Sequence, residues 1–108
     1  MTRLPPALAA SATPRILELL GEPPGHVLEL GFAGIHAVPL RLAGFEVAVV
    51  EPDPAYREQA RQRAGEVLDA IPDEPFDAVV APDGVAVPKA PVVIRVGQDG
   101  STWRSTST

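Results

Sequence analysis

Four short apolar runs constrain this chain more than anything else in it: VLEL at 27–30, VAVV at 47–50, AVVA at 78–81 and VVIRV at 92–96. None keeps the strict apolar–polar alternation of a strand with one wet face. Near-continuous runs of this length are buried on both sides, the usual condition of strands in a parallel sheet. Parallel neighbours need crossover connections, and helical patterns lie between the runs. From Ile35 to Ala43 the apolar positions include Ile35, Val38, Leu40 and Leu42, and Gly44 closes the pattern. Pro39 is tolerated only in the first turn of that helix, which puts its start near His36. Pro54 to Ala64 is a polar helix with Asp53 as its N-cap.

Strand, helix, strand, helix, strand and strand at this spacing predict βαβ units and a compact Rossmann-like α/β fold. The expected architecture is a three-layer sandwich around a mostly parallel sheet of about five to six strands. Residues 1–12, rich in Pro and Ala without a period, read as a flexible arm, and 13–108 as one domain. Thr13 is read as the cap of a helix that begins at Pro14 and ends at Gly21. EVLDAIPDEP holds at most a very short strand, FDAVVA (76–81) a buried one, and PDGVAVPKA a loop. QDG is a hairpin turn, after which STWRSTST returns as an edge strand or frays.

Composition removes several classes of function. With no cysteine and only His26 and His36, neither a disulfide framework nor a cysteine- or histidine-based metal centre is expected. A net charge of −5 with scattered basic residues makes nucleic acid an unlikely partner. No uncharged apolar stretch is long enough to span a membrane, and Pro5 and Pro6 break the only signal-like segment, so the expected location is cytoplasmic. Thirteen prolines, no asparagine and eight arginines against one lysine suit a thermostable protein with stiffened loops, or equally a GC-rich genome.

In a sheet of this kind ligands bind at the carboxyl ends of the central strands, where the strand order switches. Gly31 ends the first strand at a tight turn, and Glu51 ends the second strand twenty positions later. A carboxylate there can accept hydrogen bonds from both hydroxyls of a ribose. The pattern is therefore suited to a nucleoside. The dinucleotide fingerprint G-x-G-x-x-G would fall on Gly31, Ala33 and His36. Two of its three glycines are missing, which disfavours a pyrophosphate.

The stretch resembles class I S-adenosylmethionine-dependent methyltransferases, whose first motif is (D/E)-x-G-x-G-x-G. Glu29 and Gly31 match it, Ala33 and Ile35 stand for the second and third glycines, and Gly34 is shifted between them. The segment IPDEPFDAVVA (71–81) is similar to the L-P-D-E-S-F-D-x-V-V approach to the family's fourth strand. The resemblance covers about residues 26–97. It implies S-adenosylmethionine or S-adenosylhomocysteine as cofactor, with Glu29, Gly31, Ala33 and Gly34 around its methionine moiety. It further implies Glu51 on the ribose, Pro52 and Asp53 beside the adenine, and Asp69 directed at the adenine as well.

Each of these residues has a plainer reading. Glu29 inside an apolar strand could pair with Arg41 or Arg95, Asp53 could be no more than a helix cap, and His36 a capping or surface residue. No catalytic residue is assigned: Asp83 is the one acid in the loop after AVVA, and a type I turn accounts for Pro-Asp-Gly there. The chain is also short for the family, and its first motif degenerate. The alternative is a non-catalytic scaffold or interaction subunit. Without a helix after FDAVVA, sheet surface near Val79, Val93 and Ile94 is expected to be thinly covered, or an edge to be open beside the last strand. A homodimer or a larger partner chain is therefore expected on the C-terminal half, with Trp103 as an anchor.

Overall fold

The apolar runs become strands where the sequence places them. The computed structural model describes residues 3–105. Its elements are α1 (Pro6–Ser11), α2 (Thr13–Leu20), β1 (His26–Leu30), α3 (Ala37–Leu42), β2 (Glu46–Val50), α4 (Pro54–Ala64), β3 (Ala78–Pro82), β4 (Val92–Val96) and β5 (Thr102–Ser105). The strands form one sheet in the order β2-β1-β3-β4-β5. β1 pairs in parallel with both β2 and β3, and β3 with β4. β5 returns antiparallel to β4 through the expected hairpin. The fold is thus a compact α/β domain with a mostly parallel, mixed five-stranded sheet. The chain steps outward from β1 to β2 and then back across it to β3, which makes the end of β1 the switch point.

Side chains alternate between two faces along each strand. Val27, Val80, Ile94 and Val96 point to one face, where they form a core with Ala9, Ala12, Ile16 and Leu40 of the N-terminal helices and α3. Leu28, Leu30, Val50, Val79 and Ala81 point to the other. No helix of the described residues lies on that second face. Phe76, Leu68, Val85, Val87 and Ala90, from irregular stretches on either side of β3, cover it instead. The helix α4 packs at the β2 edge, where Ala64 meets Ala37 and Val49.

This cover corrects one expectation. Val79, Val93 and Ile94 are all fully buried, so the sheet there is not thinly covered. The proline-broken segment 83–91 closes the face without being helical, because short apolar side chains on an extended chain suffice to fill it. The outer edge of β5 remains open among the described residues, and Trp103 on it is 36% exposed.

The arm is a second correction. Residues 6–11 form α1, with Ala9 buried, and the helix chain continues through Ala12 into α2. PALAAS lacks an apolar period, yet its alanines are good helix formers, and their small size lets the helix lie close to the sheet. Leu8 seals the contact at the hairpin: a Cβ on Gly100 would come within 2.7 Å of its Cδ1. Residues 1–2 of the predicted arm, and 106–108 of the C-terminal segment, lie outside the described residues. Thr13 is the first residue of α2 and caps nothing. Its hydroxyl is taken by His36. The very short strand expected in EVLDAIPDEP is a single parallel bridge between Leu68 and Val50.

Candidate functional site

A cleft of about 250 Å³ opens at the carboxyl ends of β1, β2 and β3. Leu30, Gly31, Phe32, Ala33 and Ile35 form one wall, Glu51, Pro52, Asp53 and Tyr56 a second, and Pro82 and Val85 a third. Arg3, Leu4, Pro6 and Ala9 cross its mouth from the N-terminal side. Its lining is mostly apolar, with a few polar groups converging on it, the usual make-up of a small-molecule site.

The turn after β1 is conformationally demanding. Gly31, Ala33 and Gly34 all have positive φ, at 81°, 51° and 74°. Glycine meets this freely, but Ala33 carries a Cβ that disfavours the left-handed region. Gly34 is required for a second reason, since a Cβ there would lie 3.1 Å from Ala64 Cβ and 3.2 Å from the Ala60 carbonyl oxygen. Its role is to let the turn touch α4. Gly31 faces the pyrrolidine of Pro82, which a Cβ on Gly31 would meet at 3.5 Å.

Two carboxylates grip this turn, Glu51 at Ala33 and Glu29 at His36. Glu51, fully buried, accepts from the Ala33 N–H at 3.0 Å and the Asp53 N–H at 3.1 Å. It also takes both ends of the Arg3 guanidinium, Nη1 at 3.2 Å and Nη2 in a short ion pair. The same guanidinium lies over the Tyr56 ring, its carbon 3.8 Å from the centroid. Glu29, also fully buried, accepts from the His36 N–H at 2.6 Å through Oε2, while Oε1 has no protein partner. Burial pushes its carboxyl up to about 7, against the pull of the His36 and Gly34 N–H groups and the Arg41 charge.

Not every predicted residue meets the cleft. Gly31, Ala33, Glu51, Pro52 and Asp53 line it together. Glu29 does not: it sits beneath the turn on the helix-covered face. Nor does it pair with Arg41 or Arg95. Arg41 donates to the carbonyls of Ala64 and Val47, and Arg95 to those of Pro82 and Val85. Gly34 packs on α4, and Asp69 is exposed outside the cleft. Asp53 caps α4, accepting from the Ala55 N–H at 3.0 Å, while also facing the cleft. His36 is fully buried rather than at the surface, hydrogen-bonded through Nδ1 to Thr13 Oγ1 at 2.8 Å. Burial pushes its imidazole down to about 4.

Arg3, Tyr56, Gln59 and Gln98 are cleft residues that the sequence reading missed. Tyr56 and Gln59 could have been found, since they stand three residues apart on the first turns of α4 and share a face. Nothing local marks Arg3. Chemically the cleft offers apolar walls and a few polar groups. Of its two carboxylates Glu51 is committed to four donors and Asp53 to a helix end. Among the described residues no group of three or more His, Cys, Asp or Glu side chains could hold a metal ion, and no helix is long and apolar enough to cross a membrane. The chain matches no known protein-family model, and no curated protein matches it either.

Proposed function

We propose that the cleft binds a nucleoside cofactor of the S-adenosylmethionine or S-adenosylhomocysteine type, with Glu51 receiving the ribose hydroxyls. The observation that carries this reading is the Glu51 carboxylate. It lies at the carboxyl end of β2, beside the switch point, with backbone N–H groups holding it at the wall of an apolar cleft. Pro52, Asp53 and Tyr56 continue that wall and suit a flat base. The residues fit an adenosine better than a dinucleotide, because Ala33 and His36 stand where a pyrophosphate-binding turn needs glycine. The volume of about 250 Å³ is at the small end for such a ligand, which argues for weak binding. With no general base set out in the cleft, binding without catalysis is the more economical form of the proposal.

Thermal unfolding with added ligand tests it. S-adenosylhomocysteine at ten times its Kd should stabilise the fold by about 1.4 kcal/mol through mass action, while NAD leaves the Tm unchanged. No shift with any adenosine ligand at millimolar concentration overturns the reading. One observation favours a scaffold instead: Glu29 and Glu51 together satisfy backbone donors of the 31–36 turn, so both acids have employment without a ligand.

A further inference from the structure

The oxygens of Glu51 that a ribose would need are already in use. Two carboxylate oxygens offer about four acceptor sites, and Ala33 N–H, Asp53 N–H and the two guanidinium nitrogens of Arg3 occupy them. Arg3 also covers the Tyr56 ring. We propose that Arg3 is a latch, standing in the place of the ribose, so that a nucleoside binds only by displacing its side chain. This rests on the nucleoside reading of Glu51.

Three features make Arg3 an exchangeable occupant rather than a fixed strut. Its side chain is 28% exposed, so water already reaches the ion pair. The residues that carry it precede α1, and α1 is anchored independently by buried Ala9 and by Leu8 on the hairpin at Gly100. Leu4 packs against the core and the Pro5 carbonyl accepts the Ala9 N–H, so the movement is confined to Arg3, which can swing out without unseating the helix. Finally, Glu51 keeps two backbone donors when Arg3 leaves, so the carboxylate is not stranded. Withdrawal of Arg3 frees two things at once: the acceptor sites for a diol, and the Tyr56 face for stacking. The latch lowers apparent affinity by the fraction of molecules in which it is open.

The test is a calorimetric titration of S-adenosylhomocysteine into the full-length wild type, Arg3→Ala and Arg3→Gln, each first shown to be folded by circular dichroism. Arg3→Gln keeps a polar stem over the cleft and serves if the alanine variant is unstable. Both variants should bind about fivefold tighter or more than wild type. Methylguanidinium below denaturing concentration should weaken binding to Arg3→Ala by refilling the latch site. Equal affinity in the three proteins overturns the latch and leaves the nucleoside reading standing. Weaker binding by the variants also overturns it, and makes Arg3 a ligand contact. No binding by any of the three overturns the nucleoside reading and the latch with it.

Discussion

Glu29 and Glu51 are equally sealed from solvent and grip the same turn, yet the protein accommodates them in opposite ways. Around Glu51 the chain gathers two backbone N–H groups and a guanidinium from 48 residues away, which keeps the charge tolerable. Around Glu29 it provides no cation in contact and leaves one oxygen without a partner, so burial favours the neutral acid. A strand-end carboxylate can be reached by distant segments; the one beneath the helix layer meets only the turn that follows its own strand. The comparison separates a group placed where a ligand can meet it from one placed where only the fold can.

The sharpest way to break the comparison is through pH. Glu29 is raised from 4.5 to about 7, so the stability it confers is complete below pH 4.5 and is lost as pH rises through 7. His36 is lowered from 6.5 to about 4, so its contribution is complete above pH 6.5 and is lost as pH falls through 4. Between 4.5 and 6.5 the two slopes oppose each other, and together these groups leave stability flat. Glu29→Gln keeps an acceptor for the His36 N–H but removes the titration. Relative to wild type, the variant should gain roughly 3 kcal/mol as pH rises from 4.5 to 7, measured by urea unfolding at each pH. A difference curve that stays level means Glu29 is ionised throughout.

Glu51→Ala probes the other side. It strips an acceptor from four donors, one of them the Ala33 N–H on the strained turn. The expected loss is about 2–3 kcal/mol, read from the urea midpoint at constant m-value. A carboxylate reserved for a ligand alone would be removed with little loss, so a change below about 0.5 kcal/mol separates the two roles. The smallest effect concerns the turn that both acids hold. Ala33→Gly should raise stability by about 0.5–1 kcal/mol, because relief of the left-handed Cβ outweighs the added freedom of the unfolded chain. Loss of stability on that change would mean Ala33 packs more favourably than its backbone suggests.

The sheet was legible because its evidence is repeated. VLEL, VAVV, AVVA and VVIRV each carry the same sign of double-sided burial, and the caps at Asp53, Gly44 and Gly21 mark their connections. The cleft was half legible. Glu51 is fixed by its position at a strand end, so spacing alone finds it. Arg3 meets it only through tertiary folding, and a proline-flanked alanine segment gives no local sign that it will dock. Glu29 and Gly34 show the opposite failure: residues matching a cofactor motif are absorbed by packing, one beneath the turn and one against α4. The irregular cover over the second face was invisible as well, since proline-rich loops carry no period that reveals what they bury.

That cover has a consequence for how the molecule comes apart. Arg95 ties its start to the carbonyls of Pro82 and Val85, but among the described residues no backbone–backbone hydrogen bond involves residues 86–91. Such a layer can peel away in a local opening while the ladder of β1, β3 and β4 stays intact, at a free energy below that of global unfolding. What it uncovers is a flat surface of Leu28, Val79, Ala81 and Val93, buried in the native state and apolar throughout. Transiently bared sheet faces are where chains find one another wrongly. The price of closing a parallel sheet with proline-stiffened loops instead of a helix is thus a vulnerability to aggregation that begins well before the fold is lost.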